Sequence, residues 1–357
     1  MPGPGQKHRT GPATMGIPNI PAHYRRRAAH PGLLACLAAL GLIGLFFARD
    51  LLYDTWTLAA MPLLWPRHGH LFHLSAPGSG FDVTFSNYSV DQTSAAAQGY
   101  EDRVPAVLHH ISLGDGAAVH ARWMEVRQTC LDMHPGWQAY LWTDETADQL
   151  VRERFPGVYE MWKGYRYPIQ RIDALRYMVL YHYGGVILDM DLQCKRSFGP
   201  LRRYEFVAPE AHPAGFSIGF MMAARENPFV GELVRNLPRY NRRWLGLPYP
   251  TVMFSTGCHY ASTIHTLQPA HLRAKLKILS GPKTNPNMHR LNGPVSTPLF
   301  NHLGSSSWHA YDAAMIVALG KSAAARTWVL PVVGISAVGV AFCVVRRVRR
   351  RRRVLRG

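Results

Sequence analysis

The stretch from Asp173 to Asp191, D-A-L-R-Y-M-V-L-Y-H-Y-G-G-V-I-L-D-M-D, constrains the fold of this chain more than any other. Ile172, Leu175, Met178 and Val179 recur at helical spacing, so the stretch opens as a helix with an apolar stripe. Gly184 and Gly185 end it, because glycine tolerates the left-handed conformation that closes many helices. Val186, Ile187 and Leu188 then form an unbroken apolar run, the pattern of a central strand covered on both faces. Asp189 and Asp191 follow at the carboxyl end of that strand, where open α/β sheets bind ligands. Side chains alternate in an extended segment, so both carboxylates are expected on one side. Two carboxylates so placed suit a hard divalent cation, Mn²⁺ or Mg²⁺, shared with substrate phosphates. Asp173 and Arg176, three residues apart, share one face of the preceding helix. The plainer alternatives are an acidic pair facing solvent and a surface ion pair worth a few tenths of a kcal/mol.

Strand and helix patterns alternate upstream, at 106–110, 117–133, 138–142, 146–154, 170–183 and 186–188. That order predicts an α/β fold with a largely parallel sheet. Beyond Asp191 the pattern is less regular, with strands expected at 206–208 and 220–223 and helices at 228–237 and 257–267.

The net charge of +18 on 357 residues invites a nucleic-acid reading, but its distribution argues otherwise. Thirteen of those charges lie in two tails without an acid: Lys7, Arg9 and Arg25–Arg27 in residues 1–31, and eight arginines in 346–357. The middle then holds 27 basic and 22 acidic residues, an ordinary balance, and no nucleic-acid partner is expected. The tails flank two uncharged apolar runs, 32–48 and 327–345, both within the range of a membrane-spanning helix. Arginines on the outer side of each run place both termini in the cytosol and 49–326 on the far side. A cleaved signal peptide is the alternative for the first run. Residues 51–66, with Trp56 and Trp65, fit a membrane-surface segment or a docking helix equally. Residues 67–98 are mostly polar and read as a stem, so 49–99 is membrane-proximal and the globular domain is expected over 100–320.

Cys130, Cys194 and Cys258 allow at most one disulfide among them, and their spacing does not choose it. Asn87-Tyr88-Ser89 is a glycosylation sequon. The chain has no phosphate-binding G-x-x-x-x-G-K-[ST] loop, no dinucleotide-binding glycine fingerprint and no local signature of a hydrolytic nucleophile.

The pattern D-x-x-R-x-x-x-L-x-x-x-G-G-x-x-x-D-x-D, supplied by Asp173, Arg176, Leu180, Gly184, Gly185, Asp189 and Asp191, resembles glycosyltransferase family 32. Val104-Pro105 with Leu108-His109-His110 looks like that family's first strand, and Cys130 to Pro135 with Trp137 and Tyr140 to Asp144 like its passage into the second. P-Y-P-T-V-M at 248–253, S-T-G at 255–257 and S-S-W-H at 306–309 resemble its fungal sphingolipid-glycosylating branch. The resemblance covers about residues 100–320. It implies a GT-A-like nucleotide-diphospho-sugar transferase fold, here with one N-terminal and one C-terminal transmembrane helix. It implies a retaining, metal-dependent hexosyltransferase in the Golgi membrane, with GDP-mannose as donor and inositol phosphorylceramide as acceptor. A regulatory membrane subunit is a further partner on this reading. The alternatives are mannosyl or galactosyl transfer to a glycan, and a catalytically silent scaffold.

The resemblance also assigns roles. Asp189, Asp191 and His309 would hold the metal. Asp173 and Arg176 would bind the donor sugar. Ser307 and Trp308 would close over the diphosphate, with Trp308 donating to the leaving group. His109 would touch the nucleotide, although a buried structural histidine fits the residue equally well. Ile218 stands where the family would place an asparagine, which leaves one hydrogen bond to donor or acceptor unmade.

Overall fold

The computed structural model describes residues 31–74, 80–114, 120–304 and 312–313. The expected tails, the apolar run 327–345 and Ser306, Ser307, Trp308 and His309 lie outside these residues. The chain forms two units, 1–53 and 54–357. The first contributes the start of α1 (Pro31–Phe72), where Leu37, Leu40, Leu42, Ile43, Leu45, Phe46 and Phe47 are all exposed. Among the described residues, one helix is long and apolar enough to cross a membrane, and it runs from Ala35.

In the second unit α1 changes character. Asp54, Leu58, Met61, Trp65 and Phe72 are buried at helical spacing, whereas Trp56 and Leu63 are exposed. The helix therefore docks through one face and leaves Trp56 outside. β1 (His73–Leu74) follows, so the stretch read as a stem enters the sheet. Phe81, Val83 and Phe85 are buried as well. Next come β2 (Val107–Ile111), α2 (His120–Asp132), β3 (Gln138–Trp142), α3 (Asp144–Arg154), α4 (Pro156–Lys163), α5 (Pro168–Tyr183) and β4 (Gly185–Leu188). The chain continues through β5 (Leu192–Cys194), β6 (Phe206–Pro209), β7 (Phe220–Ala223), α6 (Pro228–Tyr240), α7 (Pro248–Ser255) and α8 (Cys258–Leu267). It closes with α9 (Ala270–Arg273), β8 (Leu276–Leu279), β9 (Val295–Ser296) and β10 (Phe300–His302).

Seven strands form one sheet in the order β1-β8-β6-β7-β4-β2-β3. It is mixed rather than wholly parallel, because β7 runs antiparallel to both β4 and β6. The connection from β6 to β7 is only ten residues, pinched by a bridge between Glu210 and Phe216, and a parallel crossover needs a dozen or more. β5, β10 and β9 form a separate antiparallel sheet. β4 sits between β2 and β7 and is fully buried, as its apolar run predicts. Its side chains alternate between two cores: Ile187 packs with α5 and α6, while Val186 and Leu188 pack with Phe198, Phe220 and Phe300.

A disulfide joins Cys130 of α2 to Cys194 of β5 across 64 residues, which resolves the open pairing and leaves Cys258 free. It ties the first α/β unit to the small sheet that carries β10.

Candidate functional site

The glycine pair between α5 and β4 aims the carboxylates. Gly184 caps α5 at φ +67, ψ −161, a conformation essentially restricted to glycine, and its N–H donates to the Leu180 carbonyl at 2.9 Å. Gly185 follows at φ +94, and a Cβ there would meet the Val107 carbonyl oxygen at 2.6 Å. Only glycines let α5 turn straight into the slot beside β2, and the last residues of β4 then deliver Asp189.

The segment beyond Leu188 is a turn, closed by the Leu192 N–H donating to the Asp189 carbonyl at 3.1 Å. The expectation of an extended Asp189–Asp191 segment is therefore corrected. The two carboxylates are related by a turn rather than by strand alternation, and the charges of both act on His302. Asp191 is nearly buried, and its Oδ2 lies 3.3 Å from His302 Nε2 at the end of β10. Burial opposes the charged imidazole, but the bond to Asp191 and the two carboxylate charges outweigh it, so the His302 pKa stands above its ordinary value.

Arg176 joins the helix to the strand. Its Nη1 donates to Asp173 Oδ1 and its Nη2 to Asp189 Oδ1, and its side chain is only 7% exposed. Asp173 Oδ2 accepts the Thr256 hydroxyl at 3.0 Å, so both Asp173 oxygens are occupied. Burial pushes the Asp173 carboxyl up to about 6, more than Arg176 and Thr256 hold it down. Asp173, Arg176 and Asp189 thus form one charged row, and its open end is Asp189, 32% exposed. The surface ion-pair alternative is excluded by that burial.

Other expected site residues fall elsewhere. His109 is fully buried, its Nε2 lies 2.9 Å from the Gly184 carbonyl, and its Nδ1 accepts from the Trp142 indole at 3.3 Å. Burial holds its pKa near 4, so the ring is neutral with its proton on Nε2. Neither nitrogen is left for a nucleotide, and His109 instead ties β2 to the glycine turn. Ile218 is buried in the core beside β7, so its side chain is a packing residue. Sequence reasoning missed His302. It stands seven residues before His309, in a stretch with no strand signal.

Gly219 lies against the row. Its carbonyl accepts the Asp189 N–H at 2.8 Å, and a Cβ on Gly219 would come within 2.6 Å of Asp189 Oδ2. Its backbone is open to any residue, so Gly219→Ala should fold while displacing the carboxylate. Turnover is expected to fall on the order of a hundredfold, the scale of a 1 Å misplacement, with the melting temperature nearly kept. Full activity in Gly219→Ala would contradict the placement of Asp189.

The donor set fits a hard divalent cation of the kind held by one or two carboxylates plus phosphates. Two carboxylates stand two residues apart in the turn, Asp189 paired with the Arg176 guanidinium and Asp191 with the His302 imidazole. Among the described residues no three His, Cys, Asp or Glu side chains form a group that could hold a metal ion.

A family described as the glycosyltransferase sugar-binding region containing the DXD motif matches residues 120–207, a span that holds the row and Asp191 but not Thr256 or His302. An inositol phosphoceramide mannosyltransferase of Schizosaccharomyces pombe is 32% identical over 285 residues, 76% of this chain and 82% of that protein. A mannosyl phosphorylinositol ceramide synthase of Saccharomyces cerevisiae is 32% identical over 231 residues, and there the match spans about half, 54%, of the relative. Among solved structures, PaToxG glycosyltransferase matches 50% of this chain at 15% identity with a TM-score of 0.34, too loose a likeness to bear on the site. With the row Asp173–Arg176–Asp189 in place and a relative matched over four-fifths of its length, the chain belongs to the family of DXD-motif sugar transferases.

Proposed function

We propose that this chain is a retaining hexosyltransferase that moves mannose from GDP-mannose to inositol phosphorylceramide. The observation that carries the reading is the buried row Asp173–Arg176–Asp189 ending beside Asp191 at the mouth of β4. The names of the relatives support the donor sugar and the acceptor. A GT-A-like arrangement is consistent with the mixed sheet and with the carboxylates at the carboxyl end of its inner strand β4.

Asp189 and Asp191 would hold Mn²⁺ or Mg²⁺ against the donor diphosphate, with His302 beside them. When bound, such an ion neutralises the charge that builds up on the departing nucleoside diphosphate. Arg176 keeps the Asp189 carboxylate aimed at that point, and its own positive charge is fixed by Asp173. Thr256 orients Asp173 in turn. Each Asp173 oxygen keeps a second acceptor site beside its bond to Arg176 or Thr256, and a donor sugar hydroxyl would use one of these. Ser307, Trp308 and His309 would close the site over the diphosphate.

On this reading the enzyme sits in a Golgi membrane with its catalytic unit in the lumen. The apolar helix from Ala35 supports an anchor, and the Cys130–Cys194 disulfide supports an oxidising compartment.

The test is a donor and acceptor screen by mass spectrometry on the purified full chain with Mn²⁺. GDP-mannose with inositol phosphorylceramide should give the singly mannosylated lipid. Transfer only from a UDP-sugar, or only to free oligosaccharide, would overturn this reading in favour of a glycan-directed transferase.

A further inference from the structure

The loop between α6 and α7, residues 241–247, takes no part in the site described above. Its tip is Leu245, 78% exposed and held at φ +53. A leucine is disfavoured in the left-handed region because its Cβ crowds the following carbonyl. A large apolar side chain presented to water is disfavoured as well. The base of the loop is nevertheless rigid. Trp244 is buried, its indole N–H donates to the Tyr240 carbonyl at 3.1 Å, and its carbonyl accepts the Leu247 N–H at 3.2 Å. Arg243, beside the tip, is exposed.

The loop is also tied to the docked part of α1. Arg239 and Arg242 both pair with the Asp54 carboxylate, Arg242 at 3.4 Å, and Asp54 is completely buried. Asp54 follows Ala48, the end of the apolar run, by six residues. Six residues reach at most about 20 Å in any conformation, which bounds how far Asp54 can lie from the end of the apolar run. Trp56, two residues on, is 70% exposed and is the side-chain type favoured at the headgroup level of a bilayer.

We propose that residues 241–247 form a lipid-surface wedge. Leu245 enters the acyl boundary of the bilayer, Arg243 lies on lipid phosphates, and the Asp54–Arg239–Arg242 cluster fixes the wedge to the anchor helix. Apolar tip, basic flank and tether together match a phospholipid surface. The proposal rests on the membrane-anchored reading and deepens it. The loop leads directly into α7, and the residue that caps α7, Thr256, holds Asp173. The wedge therefore sets the height of the charged row above the lipid, at a level suited to a headgroup emerging from the bilayer.

The test uses the full chain in phospholipid nanodiscs, in a Cys36→Ala, Cys258→Ala, Cys343→Ala background that keeps only the Cys130–Cys194 disulfide. A nitroxide label is placed by Leu245→Cys, by Glu153→Cys on α3 as a water-facing control, and by Phe47→Cys in the apolar run. The wedge predicts that the label at 245 collides more with dissolved oxygen than with a water-soluble nickel complex, with the reverse at 153. A label at 245 as open to the nickel complex as that at 153 overturns the wedge. Shielding from both reagents also overturns it, since a protein then covers the loop. If the label at 47 lies in lipid while that at 245 lies in water, only the wedge falls. If the label at 47 is itself in water, the anchor reading falls with it.

Discussion

Asp189→Asn and Asp191→Asn should each lower transfer on the order of a hundred- to a thousandfold, the scale of removing one preorganised contact to developing charge. Asparagine keeps the shape of each side chain and one acceptor oxygen but not the charge that draws a divalent cation. The fold should survive both changes. Asp189 is 32% exposed, so an amide there remains hydrated, and Asp173 still pairs with Arg176. In Asp191→Asn, His302 loses the charged partner that does most to raise its pKa, which therefore falls. Turnover by mass spectrometry beside a thermal melt separates the two quantities. Near-normal turnover in either well-folded variant would remove the carboxylates from the chemistry.

Arg176→Met is expected to have the largest effect on stability. The guanidinium lies between two carboxylates, and among the described residues Asp173 forms no other ion pair. Removing one partner of a buried pair leaves an uncompensated charge and costs about 3–5 kcal/mol. For a unit of this size that lowers the melting temperature on the order of 10 °C. Adding Asp173→Asn should recover part of the loss, because the orphaned carboxylate is then neutral. Chemical denaturation of the three variants gives the comparison. An Arg176→Met protein within about 1 kcal/mol of the parent would mean that the row is not the buried network described here.

The centre of this fold is legible in the sequence because local and global signals agree there. The helix ending at Tyr183, the glycine pair and the apolar run 186–188 predict α5, the turn and β4 almost to the residue. β3 and β7 also fall where strands are expected, at 138–142 and 220–223, although the pattern around β7 is less regular. Other elements exist only through partners distant in the chain. β10 is three residues, two of them polar, and it is a strand because Asn301 and His302 pair with Gln193 and Leu192. Nothing nearby marks His302 as a neighbour of Asp191, which is why attention falls on His309 instead. The turn after Asp189 is hidden for the same reason, as D-M-D-L reads as a continued strand until the Leu192 N–H closes on Asp189. His109 carries no local sign that its nitrogens belong to Gly184 and Trp142. The pairing of Asp54 with Arg239, 185 residues apart, could not have been read from the sequence at all.

The most direct test of the central claim is a calorimetric titration of the purified full chain with GDP, first with Mn²⁺ and then after chelation. The same titration on a protein carrying both Asp189→Asn and Asp191→Asn completes it. If these carboxylates hold the ion against the diphosphate, GDP binding tightens sharply with Mn²⁺, weakens on chelation, recovers on readdition, and loses this dependence in the double variant. Binding that is equally tight with and without the ion, or a metal dependence that survives in the double variant, would contradict the account.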